Sequence, residues 1–137
     1  MKTQPHDENA EMSVLGGIML DIAAINKVIE IIADVDFYAE KHRKIYRAML
    51  ELSERNEGCD FVLLESELRK SGDLAAVGGA AYLVELSDFV PTSANIAYYA
   101  NIVRDKALSR RLITIANELA VLRSEERRVG KECRSRW

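Results

Sequence analysis

Residues 90–122 read VPTSANIAYYANIVRDKALSRRLITIANELAVL. Pro91 stands outside a helix that Thr92 or Ser93 can cap, because a hydroxyl there accepts a backbone N–H that would otherwise lack a partner. From Ser93 to Leu122 neither Pro nor Gly interrupts the run. About thirty residues at 1.5 Å rise make a rod of roughly 45 Å, longer than a domain of this size covers, so part of it is expected to project. Its apolar positions Ile96, Tyr99, Val103 and Ala107, continued by Leu112, Ile115, Leu119 and Leu122, read as a seam that needs another helix opposite it. An antiparallel helix of the same chain or a helix of another subunit can fill that place. The sequence after Leu122 turns polar and supplies no second apolar helix, so the partner is expected from outside the chain.

Upstream, helical spacing recurs and strand alternation is scarce apart from a short apolar run at 61–64. In DENAEMSVLGGIMLD (7–21) Asp7 is a natural N-cap, and Val14, Leu15, Ile18 and Met19 fall on one stripe. Asp21 is placed to cap a second helix with Ile22, Ile25, Ile29 and Ile32 on one face. A third runs from about Ala39 to Arg55 with Ile45, Met49 and Leu52 inward, stopped by Asn56 and Gly58. CDFVLLESELRKSGD (59–73) gives a fourth, with Leu64 and Leu68 inward and Gly72 as its end. GGAAYLVELSDF (78–89) gives a fifth that offers Tyr82, Leu83 and Leu86 for packing. The expectation is an all-α chain: a compact bundle of about five short helices over residues 1–92, a long projecting helix over 93–122, and a separate tail over 123–137.

Bulk properties narrow the function. The chain has 137 residues, 48% hydrophobic and 30% charged, which is one ordinary globular domain. No apolar run approaches the roughly 18 residues that a membrane helix needs, and the first residues lack the pattern of a signal peptide, so the cytoplasm is the expected compartment. Cys59 and Cys133 have no metal-ligand spacing and read as free thiols. The last fifteen residues hold six of the 19 basic and three of the 22 acidic side chains, so the rest carries 13 against 19, a net charge of -6. Affinity for a phosphate backbone rests mainly on Lys and Arg displacing counterions, so direct DNA binding by this acidic body is not expected.

The tail RSEERRVGKECRSRW (123–137) is basic and shares no composition with what precedes it. It matches, at every position, one reading frame of a widely used sequencing-library adapter, so it is expected to be foreign to the gene. Its VGKE is no phosphate loop, since the Ser or Thr that comes after the lysine and the earlier glycine turn are both missing.

Residue types that carry chemistry are isolated. His42, in AEKHRKIY (39–46), has no Cys or second His at ligand spacing and reads as structural. His6 falls in a segment without helical pattern, expected to be mobile. Glu8 and Glu11 share a helix face, yet carboxylates at a helix N-terminus are accounted for by the macrodipole. Cys59 has no nearby base to activate it. Tyr98 and Tyr99 offer stacking faces, but in an acidic context they fit packing better than base recognition. No catalytic residue, cofactor site or metal site is expected in this chain.

Taken together, AEMSVLGGIMLD (10–21), DFYAEKHRKIYRAMLEL (36–52) and VGGAAYLVELSDFVPTSANIAYYANIVRDKALSRRLI (77–113) resemble the N-terminal domain of the bacterial replicative DNA helicase, the DnaB family. The resemblance runs from about Pro5 to Leu122, and PTSANI leading into YYANIVRDKA and Arg110 is its most specific part. It implies a helical globular unit followed by a helical hairpin, hairpins of neighbouring subunits that pair, and six such domains forming a collar that receives primase. The long helix would be the first arm of that hairpin. ATP and Mg2+ would belong only to a motor domain beyond Leu122, a helicase loader is a further partner, and the chain itself would not hydrolyse ATP. Interface positions expected from the seam are Tyr98, Tyr99, Ile102, Val103, Leu112 and Ala116. Two other readings stay open: the helicase-binding module of a primase, which a catalytic domain would precede, and a standalone helical regulator of the helicase, which would need a closed hairpin.

Overall fold

The computed structural model describes residues 4–136, with side chains through Glu125. Among the described residues every regular element is helical: α1 (Glu8–Leu20), a 3-10 turn (Ile22–Ala24), α2 (Ile25–Ile29), a second 3-10 turn (Asp34–Asp36), α3 (Glu40–Glu54), α4 (Phe61–Ser71), α5 (Gly79–Phe89) and α6 (Ile96–Arg136).

The architecture is built around α1. Asp7 caps it, its Oδ1 accepting the Ala10 N–H at 3.0 Å, but α1 is not amphipathic: every residue from Ala10 to Met19 is buried. A helix apolar on nearly all sides has to be enclosed, and α3, α5 and α6 enclose it. Gly16 and Gly17 set how closely they approach. A Cβ on Gly16 would lie 2.5 Å from the Leu86 carbonyl oxygen of α5, and one on Gly17 would lie 3.0 Å from Ile96 Cδ1 of α6. Backbone therefore rests almost on backbone at the centre of the domain.

Around that axis the expected inward residues Ile45, Met49, Leu52, Leu64, Leu68, Leu83 and Leu86 are buried. The stop signals also act as read. Asn56 takes φ 58° while the Glu57 N–H bonds back to the Leu52 carbonyl at 2.9 Å, and Gly72 ends α4 at φ 78°.

The second helix departs from its reading. Asp21 does act as a cap, accepting the Ala23 N–H at 3.1 Å, but of a 3-10 turn, with only the five residues of α2 after it. Three residues per turn instead of 3.6 shifts the phase of α2 relative to a continuous α-helix, so Val28 is fully buried and Ile29 is exposed. The long helix also starts later than Ser93. Thr92 Oγ1 accepts the Ala94 N–H at 3.2 Å, and the Ser93 carbonyl accepts the Ile96 N–H at 3.2 Å. One separate turn thus carries the chain over α1 before α6 begins at Ile96. At its other end α6 runs past Leu122 to Arg136 without a break, which Glu, Arg and Lys support by helix propensity without needing an apolar stripe.

Candidate protein–protein interface

α6 consists of two halves that face different ways. In the first, Ile96, Ala100, Val103 and Ala107 are buried, stepping by four, three and four residues along a single face that packs against α1 and α2. The next positions on that face are Arg110 and Thr114. The apolar stripe resumes instead at Leu108 and continues through Leu112, Ile115, Leu119 and Leu122, again in steps of four and three, with every member between 45% and 65% exposed. At 3.6 residues per turn the second stripe is rotated about 110° around the helix axis from the first. The single seam expected from the sequence is thus two seams, and the step of five from Ala107 to Leu112 is where the phase breaks.

The six expected interface positions divide accordingly. Tyr98 and Leu112 are about two-thirds exposed, Ala116 is exposed, and Ile102 is half-buried. By the same helical geometry these four share an arc of about 80°. Tyr99 is half-buried and meets Tyr98 edge-on with ring centroids 5.6 Å apart. Val103, 1% exposed, belongs to the core of its own chain, because the first half of α6 is already covered by α1.

Where the two halves meet, polar contacts replace apolar ones. Arg110 Nη1 donates to the Pro5 carbonyl at 2.8 Å, and its Nη2 donates to the Asp36 carbonyl at 2.6 Å. Arg111 Nη2 reaches Asp36 Oδ1 at 3.3 Å, while Asp36 Oδ2 holds the Ala33 N–H at 2.8 Å. Tyr38 lies under the Arg110 guanidinium at 5.4 Å and stacks with His6 at 4.1 Å. His6 is therefore held against the body rather than mobile. Sequence reading had no period to follow here; the one signal was a charged residue in the slot after Ala107.

Two of the residues considered for catalysis, Glu11 and His42, belong to one buried structural network. Glu11 is 2% exposed, and its carboxylate accepts the Tyr38 N–H at 2.7 Å, the Ala39 N–H at 3.4 Å and His42 Nδ1 at 2.7 Å. A carboxylate only accepts, so Nδ1 carries a proton, and the other ring nitrogen of the fully buried His42 meets the Tyr82 hydroxyl. Burial, with Glu8, Glu85 and Glu11 nearby, pushes the Tyr82 phenol above its ordinary range. Glu11 thus does more than answer the α1 dipole: it binds the free N–H groups ahead of α3. No buried side-chain nitrogen or oxygen among the described residues lacks a partner. Cys59 is a free buried thiol, pushed up to about 12 chiefly by burial, which suppresses the thiolate that a nucleophile needs.

Among the described residues this is an all-helical domain with a run of exposed large apolar side chains along one face of its last helix. The sequence profile of the DnaB-like helicase N terminal domain matches residues 3–105, and the chain belongs to that family. It is 47% identical over 112 residues to the replicative DNA helicase DnaB of Leifsonia xyli subsp. xyli, covering 82% of this chain and 24% of that protein. The chain therefore spans about a quarter of the length of the curated relatives it matches. The crystal structure of the N-terminal domain of DnaB helicase from Mycobacterium tuberculosis superposes with a TM-score of 0.84 at 44% identity, covering 86% of this chain and 82% of that one. A structure of a DnaB-like replicative helicase and its interactions with primase gives a TM-score of 0.70 at 28% identity over 83% of this chain and 27% of that one. No helix of the described residues is long and apolar enough to cross a membrane.

Proposed function

We propose that this chain is a scaffold of the replication machinery: a collar unit that pairs with copies of itself through the α6 arm and offers its surface to primase. The exposed stripe Leu108, Leu112, Ile115, Leu119 and Leu122 carries this reading. Five large apolar side chains in heptad steps on a helix turned away from its own body match the requirement of a helix-to-helix seam. Tyr98 and Ala116 border that stripe, about 80° around the helix from its centre, and Ile102 lies further round at about 120°. In this reading residues 1–92 are the head and 93–122 the first arm of a hairpin. ATP and Mg2+ act only in the motor of such a helicase, outside this chain, and a helicase loader is a further partner. Likeness to a DnaB-like helicase described with its interactions with primase supports primase as a partner, and the net negative charge supports protein rather than DNA as what the domain touches.

Sedimentation equilibrium tests the self-pairing. The chain is expected to associate reversibly, and Leu112→Asp with Leu119→Asp to return it to the monomer with its helical signal intact. A parent chain that stays monomeric at high concentration refutes the reading. Calorimetric titration with the C-terminal module of primase tests the second part, and heat equal to that of dilution removes primase from the proposal.

A further inference from the structure

We infer that Arg110 works as a tilt control for the α6 arm, and that the segment Gln4–His6 is the releasable half of its clasp. The mechanical problem is set by the seam. Ile96, Ala100, Val103 and Ala107 are the only fully buried positions of α6 among the described residues, flanked by the partly buried Tyr99 and Ile102, and two of the four are alanines, whose short side chains raise only low ridges for a neighbouring helix. That seat is about 17 Å long, whereas the helix from Arg111 to Arg136 extends roughly 40 Å beyond it. A load on the arm therefore acts through a lever more than twice as long as its seat.

Arg110 sits at the fulcrum. Every side chain from Arg111 to Glu125 is exposed, so no apolar contact over that stretch restrains the direction of the arm. Within the body Arg110 spans two segments far apart in sequence, the Pro5 carbonyl at 2.8 Å and the Asp36 carbonyl at 2.6 Å. The Asp36 anchor is firm: that residue is 8% exposed, lies in a hydrogen-bonded turn and also meets Arg111. The Pro5 anchor is light. It precedes the first helix, and among the described side-chain contacts only the Arg110 bond and the His6–Tyr38 stack tie this segment to the rest of the body. Closed on both carbonyls, the guanidinium holds α6 in one direction. With the Pro5 strap lifted, one anchor remains and α6 can rock on its alanine-lined seat. Anything that captures the first residues of the chain then changes where the arm points.

Spin-label distance measurement tests this. The chain carries Cys133→Ser, with labels at Lys70→Cys on α4 and Asn117→Cys on the arm, both exposed positions, and is diluted into unlabelled protein so that only distances within one chain are read. Cys59, buried and protonated, does not compete for label. One narrow distance population is expected for the parent. Deletion of residues 1–6 is expected to broaden it, Arg110→Lys to broaden it similarly, and Arg110→Ala to broaden and shift it further, with the thermal midpoint of the deletion variant close to that of the parent. Unchanged distributions in the deletion and Lys variants overturn the inference, whether or not Arg110→Ala folds. So does broadening that appears only once the helical signal begins to melt, because the contacts would then be general stabilisers and not a control of direction.

Discussion

Each half of α6 carries an apolar stripe, and the two stripes have opposite fates. Ile96, Ala100, Val103 and Ala107 disappear into the body, while Leu108, Leu112, Ile115, Leu119 and Leu122 stay in water although they are the bulkier set. Hydrophobicity cannot explain this, since the arm has more apolar surface to bury. Phase explains it: the body covers one face of the helix, and the arm's stripe lies on another, beyond the reach of α1. Which apolar residues a domain buries is decided by where its other helices are, and what is left over is available to a partner.

Single substitutions of the same chemistry in the two halves test that contrast most severely. Val103→Asp puts a carboxylate with no partner into a fully packed site and is expected to cost about 4 kcal/mol or more, enough to unfold a marginal domain. Leu119→Asp, sixteen residues further along, is expected to change monomer stability by about 0.5 kcal/mol or less, the ordinary range for an exposed site. Urea titration at a dilution where the chain is monomeric reads both, and comparable losses would mean that the arm is covered by its own chain.

Next in size are the close approaches of α1 to the two helices that flank it. Gly16→Ala drives a Cβ into the Leu86 carbonyl, and the backbones of α1 and α5 must separate, at about 1–3 kcal/mol as for other overpacked cores. Gly17→Ala meets only the tip of the Ile96 side chain, which can turn aside, and is expected to cost less. Thermal melts should rank them in that order; the reverse would place the tightest approach at α6.

The smallest effect is electrostatic and belongs to the body alone. The Arg47 guanidinium hydrogen-bonded to Asp34 at 2.6 Å holds that carboxyl below its usual range. A carboxyl lowered on folding adds stability above its unfolded value of about 3.9 and loses it as pH falls through the folded value. Half of Arg47 is exposed, so solvent screening keeps the contribution under about 1 kcal/mol. Asp34→Asn should be less stable than the parent at neutral pH, with the gap closing on acidification; a gap that is constant with pH would remove the ion pair as its cause.

Much of the fold was legible in the sequence, where local rules decide structure. The Asp7 cap, the Asn56 and Gly72 stops and the inward faces of α3, α4 and α5 rest on spacing and backbone chemistry carried within a few residues. Three features escaped because their causes lie elsewhere in the chain. The second helix was misphased because a 3-10 turn shortens its start. Val103 was assigned to an interface because periodicity shows that a face is apolar without showing what covers it. The two hydrogen bonds of Arg110 reach residues 105 and 74 positions away in sequence, and no local pattern announces such contacts.

The enclosure of α1 has a consequence for biosynthesis. Among the described helices α1 is translated before its neighbours, and the Tyr82 and Leu86 side of α5 and the Ile96–Val103 side of α6, which complete its cover, follow some 70 to 90 residues later. At about 5–20 residues per second the nascent chain carries this largely apolar helix without its α5 and α6 cover for several seconds. During that interval the apolar surface of α1 that α5 and α6 later cover is open to aggregation.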